Sequence, residues 1–259
     1  MPTPRQNWTR GETLAALHVY LLLPFGMLHH NQPLIRQLAG WIGRSPNSVA
    51  LKLVNLASLD PQIVASGRKG MGNVSALDRQ VWRELLADWD PIALQAASEY
   101  ERLATSHGVA SDADVVDELP TIEEGRTRMA TVEVRVNQAR FRKSVLAGYH
   151  STCCISGLRS ERLLVASHIV PWSEDKNNRL NPQNGLCLSA LHDRAYDQGL
   201  ITVLPNYTVK VSPRLLEAND APFFEDAFLK FDGLKIQLPE RFLPHVDFLA
   251  AHATKFNYM

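Results

Sequence analysis

The chain has 259 residues, 45% of them hydrophobic, and its 27 lysines and arginines balance 27 aspartates and glutamates. That much apolar sequence supports a packed core and excludes a disordered chain, while zero net charge excludes a uniform pull on nucleic acid, so any DNA-binding surface must come from local segregation of charge. Three cysteines, Cys153, Cys154 and Cys187, cannot build a disulfide framework or a four-cysteine zinc site; no structural zinc is expected, and they read as small buried side chains in a reducing cytoplasm.

Thr9 and Glu12 form a capping box, which predicts a helix from Arg10 to Leu23 that stops at Pro24. The most apolar run, Leu14 to Leu28, is interrupted by His18, Pro24 and Gly26, and no stretch is long enough to span a membrane. The segment MPTPRQNWTR lacks a signal-peptide layout. His29 and His30 fall in a loop with no acid or cysteine at metal-ligand spacing. A second helix from Pro33 turns Leu34, Leu38, Trp41 and Ile42 inward, and Gly43 stops it. Ser45 caps a third helix with Pro46 at its first position and Val49, Leu53 and Leu56 as its stripe.

Two short helices joined by a tight glycine turn read as a helix-turn-helix, or as a hairpin that merely packs. Arg44 precedes the second helix, which would present Asn47, Ser48, Lys52 and Asn55. Asparagine reads adenine edges, and lysine reads guanine or binds phosphate. The Gly-rich loop from Ala65 to Asn73 offers Arg68 and Lys69 to a phosphate but lacks the Lys-Ser/Thr ending of a nucleotide-binding loop. Helices from Ser75 to Trp89 and Pro91 to Ala104 complete a helical domain over residues 1–105.

Residues 106–130 read as a linker. Its first part, Ser106 to Glu124, carries Asp112, Asp114, Asp117, Glu118, Glu123 and Glu124 and no Lys or Arg. Charge then reverses, and Arg140, Arg142 and Lys143 sit on a predicted helix from Asn137 to Tyr149. They are placed to contact phosphate, with a solvated helix face as the plainer alternative. Cys153 to Ile155 and Arg162 to Ala166 read as an antiparallel hairpin.

Ser167 and His168 follow at the second strand's end, and a polar loop runs to Asn184-Gly185. A helix then carries Leu188, Leu191, Ala195 and Tyr196 on one face and ends at Gly199. Asp193 and Asp197 lie four apart on that helix, so both carboxylates project from one face, with His192 beside them. A histidine takes a proton from water near neutral pH, and oxygen ligands hold a hard cation such as Mg2+ or Mn2+. The layout therefore suits metal-assisted hydrolysis of a phosphodiester; the alternative is a core histidine with two solvated acids. Downstream, Leu200 to Leu204 and Tyr207 to Val211 read as a strand pair, Phe231 to Leu238 as an edge strand and Pro244 to Lys255 as a closing helix. His245 and His252 show no partner in the sequence. The fold class is α+β, with a helical N-terminal domain and a second domain over 131–259.

The blocks Cys154-Ile-Ser-Gly157, Ala166-Ser-His-Ile-Val-Pro-Trp172, Asn184-Gly-Leu-Cys-Leu188 and Asp193-Arg-Ala-Tyr-Asp-Gln-Gly199 resemble the HNH nucleases of ββα-metal fold. The resemblance implies His168 as general base, Asn184 as the brace of its loop, and a metal ligand nine residues after Asn184, which is Asp193, with His192 as the alternative. Ser167 stands where many members have Asp or His, so Asp197 or water enters the ligand set as well. The N-terminal blocks WTRGE, IGRSPNSVALKL and ASLDP, followed by that nuclease segment, resemble the McrA-type modification-dependent restriction endonucleases of NEco–HNH arrangement. This implies a helical half that senses 5-methylcytosine in double-stranded DNA, although the zinc-binding cysteines of some such enzymes are missing. One such site cuts one strand, so double-strand cleavage implies a homodimer or two encounters. The competing readings are an HNH endonuclease acting on unmodified DNA and a helix-turn-helix regulator with an inactive nuclease domain.

Overall fold

The computed structural model describes residues 7–67, 74–109, 125–217 and 222–259, with the backbone alone for 125–133. It is α+β and divides into two compact units, Met1–Arg140 and Phe141–Met259. Arg68 and Lys69 lie outside the described residues, as does the acidic run from 110 to 124.

The first unit is helical, with α1 (Arg10–Leu22), α2 (Pro33–Trp41), α3 (Pro46–Ala57), α4 (Pro61–Ala65), α5 (Ala76–Ala87) and α6 (Trp89–Ser106). The capping box is present: Glu12 N donates to Thr9 Oγ1 at 3.2 Å and Thr9 N to Glu12 Oε2 at 2.8 Å. Every residue of α1 from Thr13 to Leu21 is buried, and a helix apolar all round belongs in the centre of a bundle. It packs on α6 and α3. Between α2 and α3, Gly43 adopts φ +65°, a backbone region that costs glycine nothing. Ser45 Oγ then accepts Ser48 N at 3.2 Å as the cap of α3.

The long helix α7 (Gly125–Gly148) passes through the boundary between the units. The second unit pairs β1 (Leu164–His168) with β2 (Gly185–Ser189), antiparallel, followed at once by α8 (Ala190–Asp197). The hairpin is not the expected one. Cys153–Ile155 is no strand: Gly157 N donates to Cys153 O at 2.9 Å and Cys153 N to Leu158 O at 2.8 Å, closing a turn with Gly157 at φ +74°. The true partner of β1 is Gly185–Ser189, a run buried throughout. Leu188, expected on the helix, is therefore on β2, and the helix starts one residue after Ser189, whose hydroxyl accepts His192 N at 3.3 Å. Short apolar runs fit either structure.

A second antiparallel pair, β3 (Ile201–Val203) with β4 (Val209–Val211), follows α8, and then come α9 (Pro213–Glu217) and α10 (Pro222–Ala227). The expected edge strand Phe231–Leu238 is absent; the chain there makes one isolated bridge, Thr208 to Lys235. Gly233 at φ +77° breaks the extended path.

The last helix, α11 (Val246–Lys255), touches both limbs of the nuclease segment. His245 N donates to Gln183 O at 2.9 Å, and Lys255 Nζ reaches Glu174 at 2.7 Å. His252 lies flat on Tyr196 of α8, centroids 3.7 Å apart, and bonds Tyr196 O at 3.2 Å. Tyr258 OH donates to Gly199 O at 3.0 Å, while Phe256 occupies the space a Gly199 side chain would need.

Candidate functional site

The site is built from β1, β2, the loop joining them, and α8. His168 ends β1 directly opposite Gly185. Its ring stacks on Phe141 of α7 at 3.7 Å and 12°, and Trp172 meets it edge-on at 5.6 Å and 87°. Nε2 lies 3.0 Å from the Arg179 carbonyl. A carbonyl only accepts, so Nε2 carries the hydrogen and Nδ1 of the neutral ring is left as the basic nitrogen. Burial pushes the His168 pKa below its ordinary value, opposed by the Arg179 carbonyl and the charge of Asp197. The ring is therefore neutral, and ready to accept a proton, at neutral pH.

His192 and His252 adopt the same tautomer but use both nitrogens. His192 gives Nε2–H to Ala227 O at 2.8 Å and turns Nδ1 to Ser189 Oγ at 2.9 Å. His252 gives Nε2–H to Tyr196 O and turns Nδ1 to Thr202 Oγ1 at 2.9 Å. Among the described residues, Nδ1 of His168 has no hydrogen-bond partner. His192 as a metal ligand is thus corrected: it is buried, edge-on to Phe228 and Phe231, with both nitrogens occupied. It also helps to hold Cys153, whose sulfur accepts Ser156 N at 3.4 Å and Ser189 N at 3.2 Å. Cys153 is a free, fully buried side chain, as expected.

Asn184 is fully buried. Its Oδ1 accepts Val170 N at 2.8 Å, and its Nδ2 donates to Val170 O at 3.0 Å and Asn178 O at 3.2 Å. One side chain thereby ties together the two limbs of the loop that follows His168. On α8, Asp193 is half-buried, and burial raises its pKa; the Ser167 hydroxyl lowers it and the charge of Asp197 raises it again. Asp197 is exposed. Ser167 is buried, and among the described residues its hydroxyl has no partner in hydrogen-bonding geometry, although Asp193 is near enough to feel it.

These residues fit a shared cation site and not a protein cage. Among the described residues, no three His, Cys, Asp or Glu side chains converge to hold a metal by themselves. Magnesium takes one or two carboxylates and fills the rest of its shell with water and phosphate oxygens. A desolvated carboxylate beside a second acid and an unsatisfied hydroxyl match that donor set.

The sequence-predicted DNA contacts divide. Asn47 and Lys143 are exposed and Ser48 partly so. Lys52 and Asn55 are buried, correcting their assignment to a groove-facing surface: Lys52 Nζ pairs with buried Asp78 at 2.5 Å and lies 4.6 Å from the Trp8 ring centre. Arg44 is committed to Glu12 at 3.0 Å and to Asn7 O at 2.8 Å. Arg140 pairs with Glu101 and Asn137. Arg142 donates to Leu164 O at 2.7 Å and Glu161 O at 2.9 Å, which fastens the start of β1.

The family model of the HNH endonucleases matches residues 153–204. Residues 153–204 are an HNH endonuclease domain. That stretch holds β1, β2, α8 and β3, with His168, Asn184 and Asp193 inside it. HNH domains act on nucleic acid by hydrolysis and generally use a divalent metal. No curated protein matches the chain. No helix among the described residues is long and apolar enough to cross a membrane.

Proposed function

We propose that this protein is a DNA endonuclease whose HNH domain hydrolyses phosphodiester bonds with His168 as general base. The observation that carries the reading is the bare Nδ1 of His168, set against two neighbouring histidines whose Nδ1 atoms are occupied. Nδ1 takes the proton of a water molecule as the water oxygen bonds to phosphorus. The P–O bond to the leaving oxygen breaks, and solvent protonates that oxygen. Phe141, Trp172 and the Arg179 carbonyl hold the ring in place, and Asn184 holds the loop. Asp193, with Ser167 and Asp197, would hold the cation, whose chemistry when bound is to neutralise charge on the scissile phosphate.

The target we propose is double-stranded DNA carrying 5-methylcytosine, cut by a homodimer or by two encounters. Its support is the N-terminal resemblance set out above, together with the two short helices α2 and α3 joined by a turn at Gly43 and the accessible Asn47 and Ser48. The test is one plasmid, prepared with and without cytosine methylation, incubated with the protein and magnesium or manganese at low salt. Cutting of the methylated form alone is expected. Equal cutting of both removes the methyl sensor and keeps the nuclease; binding without cutting of either removes the nuclease.

A further inference from the structure

Among the described residues three contacts fix the imidazole of His168, and one residue governs two of them. Arg179 lies in the loop between β1 and β2, eleven residues beyond His168. Its backbone carbonyl accepts Nε2–H. Its side chain donates from Nε to the Trp172 carbonyl at 2.9 Å, and its guanidinium carbon lies 5.0 Å from the centre of the Trp172 ring. Trp172 in turn sets its ring edge-on to His168. Phe141 makes the third contact alone.

The chemistry of the side chain matters here. A guanidinium is planar, donates from a fixed fork and stacks on an aromatic ring at once; an ammonium of similar length cannot do all three. Arg179 is anchored through Nε to a carbonyl seven residues earlier, so the position of its own carbonyl depends on its side chain. If that carbonyl drifts, the imidazole is free to take the other tautomer, in which Nδ1 carries hydrogen and can accept no proton. Asn184 still holds neighbouring Asn178 O, so the loop loosens and does not collapse.

We propose that Arg179 is a positioning residue of the nuclease site: its carbonyl and its hold on Trp172 together keep His168 in the tautomer and orientation that leave Nδ1 bare. The proposal rests on the reading of His168 as the base.

The test uses the full chain with Arg179→Met and Arg179→Lys, and Lys176→Met as an exposed control in the same loop. Histidine-labelled protein is examined by nitrogen NMR at neutral pH for the His168 tautomer, and nicking is measured for kcat and KM. Expected are a single Nε2–H form in the unaltered protein and the control, mixed tautomers in Arg179→Met, and a kcat lowered about tenfold or more with KM nearly constant. Arg179→Lys should not rescue; it also carries the test if Arg179→Met does not fold. An unchanged tautomer with unchanged kcat overturns the proposal. So does a raised KM at constant kcat, which would make Arg179 a phosphate contact instead. If the unaltered protein does not cut at all, the base assignment fails, while the tautomer still reports whether Arg179 holds the ring.

Discussion

Gly185 is the cross-strand partner of His168, and the side chain it lacks is replaced by Phe141. A Cβ at Gly185 would stand 2.9 Å from Phe141 Cζ and 2.5 Å from Val145 Cγ2. Phe141 enters that space and lies flat on the imidazole. Gly185→Ala should therefore act on the base without touching it. We expect a stability loss of about 1–3 kcal/mol from overpacking, and a fall in kcat beyond what the unfolded fraction explains. Thermal unfolding and nicking rates on the same sample decide this; unchanged kcat in the folded variant would remove the role of the Phe141 stack.

His168→Ala should lower cleavage by about 10²–10⁴-fold, the usual contribution of a general base, and leave DNA binding intact. The sign of the pH effect follows from burial, which depresses the His168 pKa. The active form is the neutral ring, so activity persists as pH falls and is lost only below the ordinary histidine range. An acid limb at or above the ordinary histidine pKa would contradict the assignment.

Asp193 is held at a cost. Its folded pKa is raised, first by burial. The folded state therefore binds the proton more tightly than the unfolded one, and ionised Asp193 weakens the fold above its unfolded pKa. Asp193→Asn should abolish metal-dependent cutting and yet slightly stabilise the protein at neutral pH, by an amount that solvent screening at this half-exposed site keeps small. Denaturant melts without metal test this; a clear loss of stability would mean that the carboxylate is structural.

His252 sets a different pH limit. Burial brings its pKa to about 4, below that of an unfolded histidine. The unfolded chain then binds the extra proton as pH falls from the ordinary histidine value toward 4, so stability declines across that window. The slope from one such group is at most about 1.4 kcal/mol per pH unit. His252→Phe, which keeps the stack on Tyr196, should flatten the slope while lowering stability at neutral pH. A slope identical in the variant would assign the acid lability elsewhere.

Lys52 pairs with Asp78 inside the helical unit, with side-chain exposures of 4% and 1%. Lys52→Met strands a buried carboxylate and should cost about 3–5 kcal/mol. Lys52→Met combined with Asp78→Leu should recover most of that loss. Weaker DNA binding by a folded single variant, with no change in melting, would restore Lys52 as a contact.

The sequence showed the caps and stops of the first unit plainly, because Thr9, Glu12, Gly43, Ser45 and Pro46 act on their own neighbours. Its resemblance to the HNH nucleases also singled out His168, Asn184 and Asp193, which the structure places on β1, the loop before β2, and α8. The hairpin was misread because Gly185–Ser189 is short and apolar, and pairing with β1 across the intervening loop is a long-range choice. The burial of Lys52 was hidden for the same reason: its partner Asp78 is 26 residues away. His192 was the alternative to Asp193, yet a shift of one residue on a helix turns a side chain by about 100° and here sends it into the core. His252 and Arg179 left no local signal, since their partners are carbonyls and rings from other segments.

The clasp made by residues 245–258 gives the nuclease an order of assembly. Tyr258 reaches back 59 residues to Gly199, and Lys255 reaches back 81 to Glu174. A growing chain thus carries His168, Asn184 and Asp193 well before the helix that packs on α8 has emerged. During synthesis those residues exist as an unfastened set, because the contacts on Glu174, Tyr196 and Gly199 can close once this segment has been made.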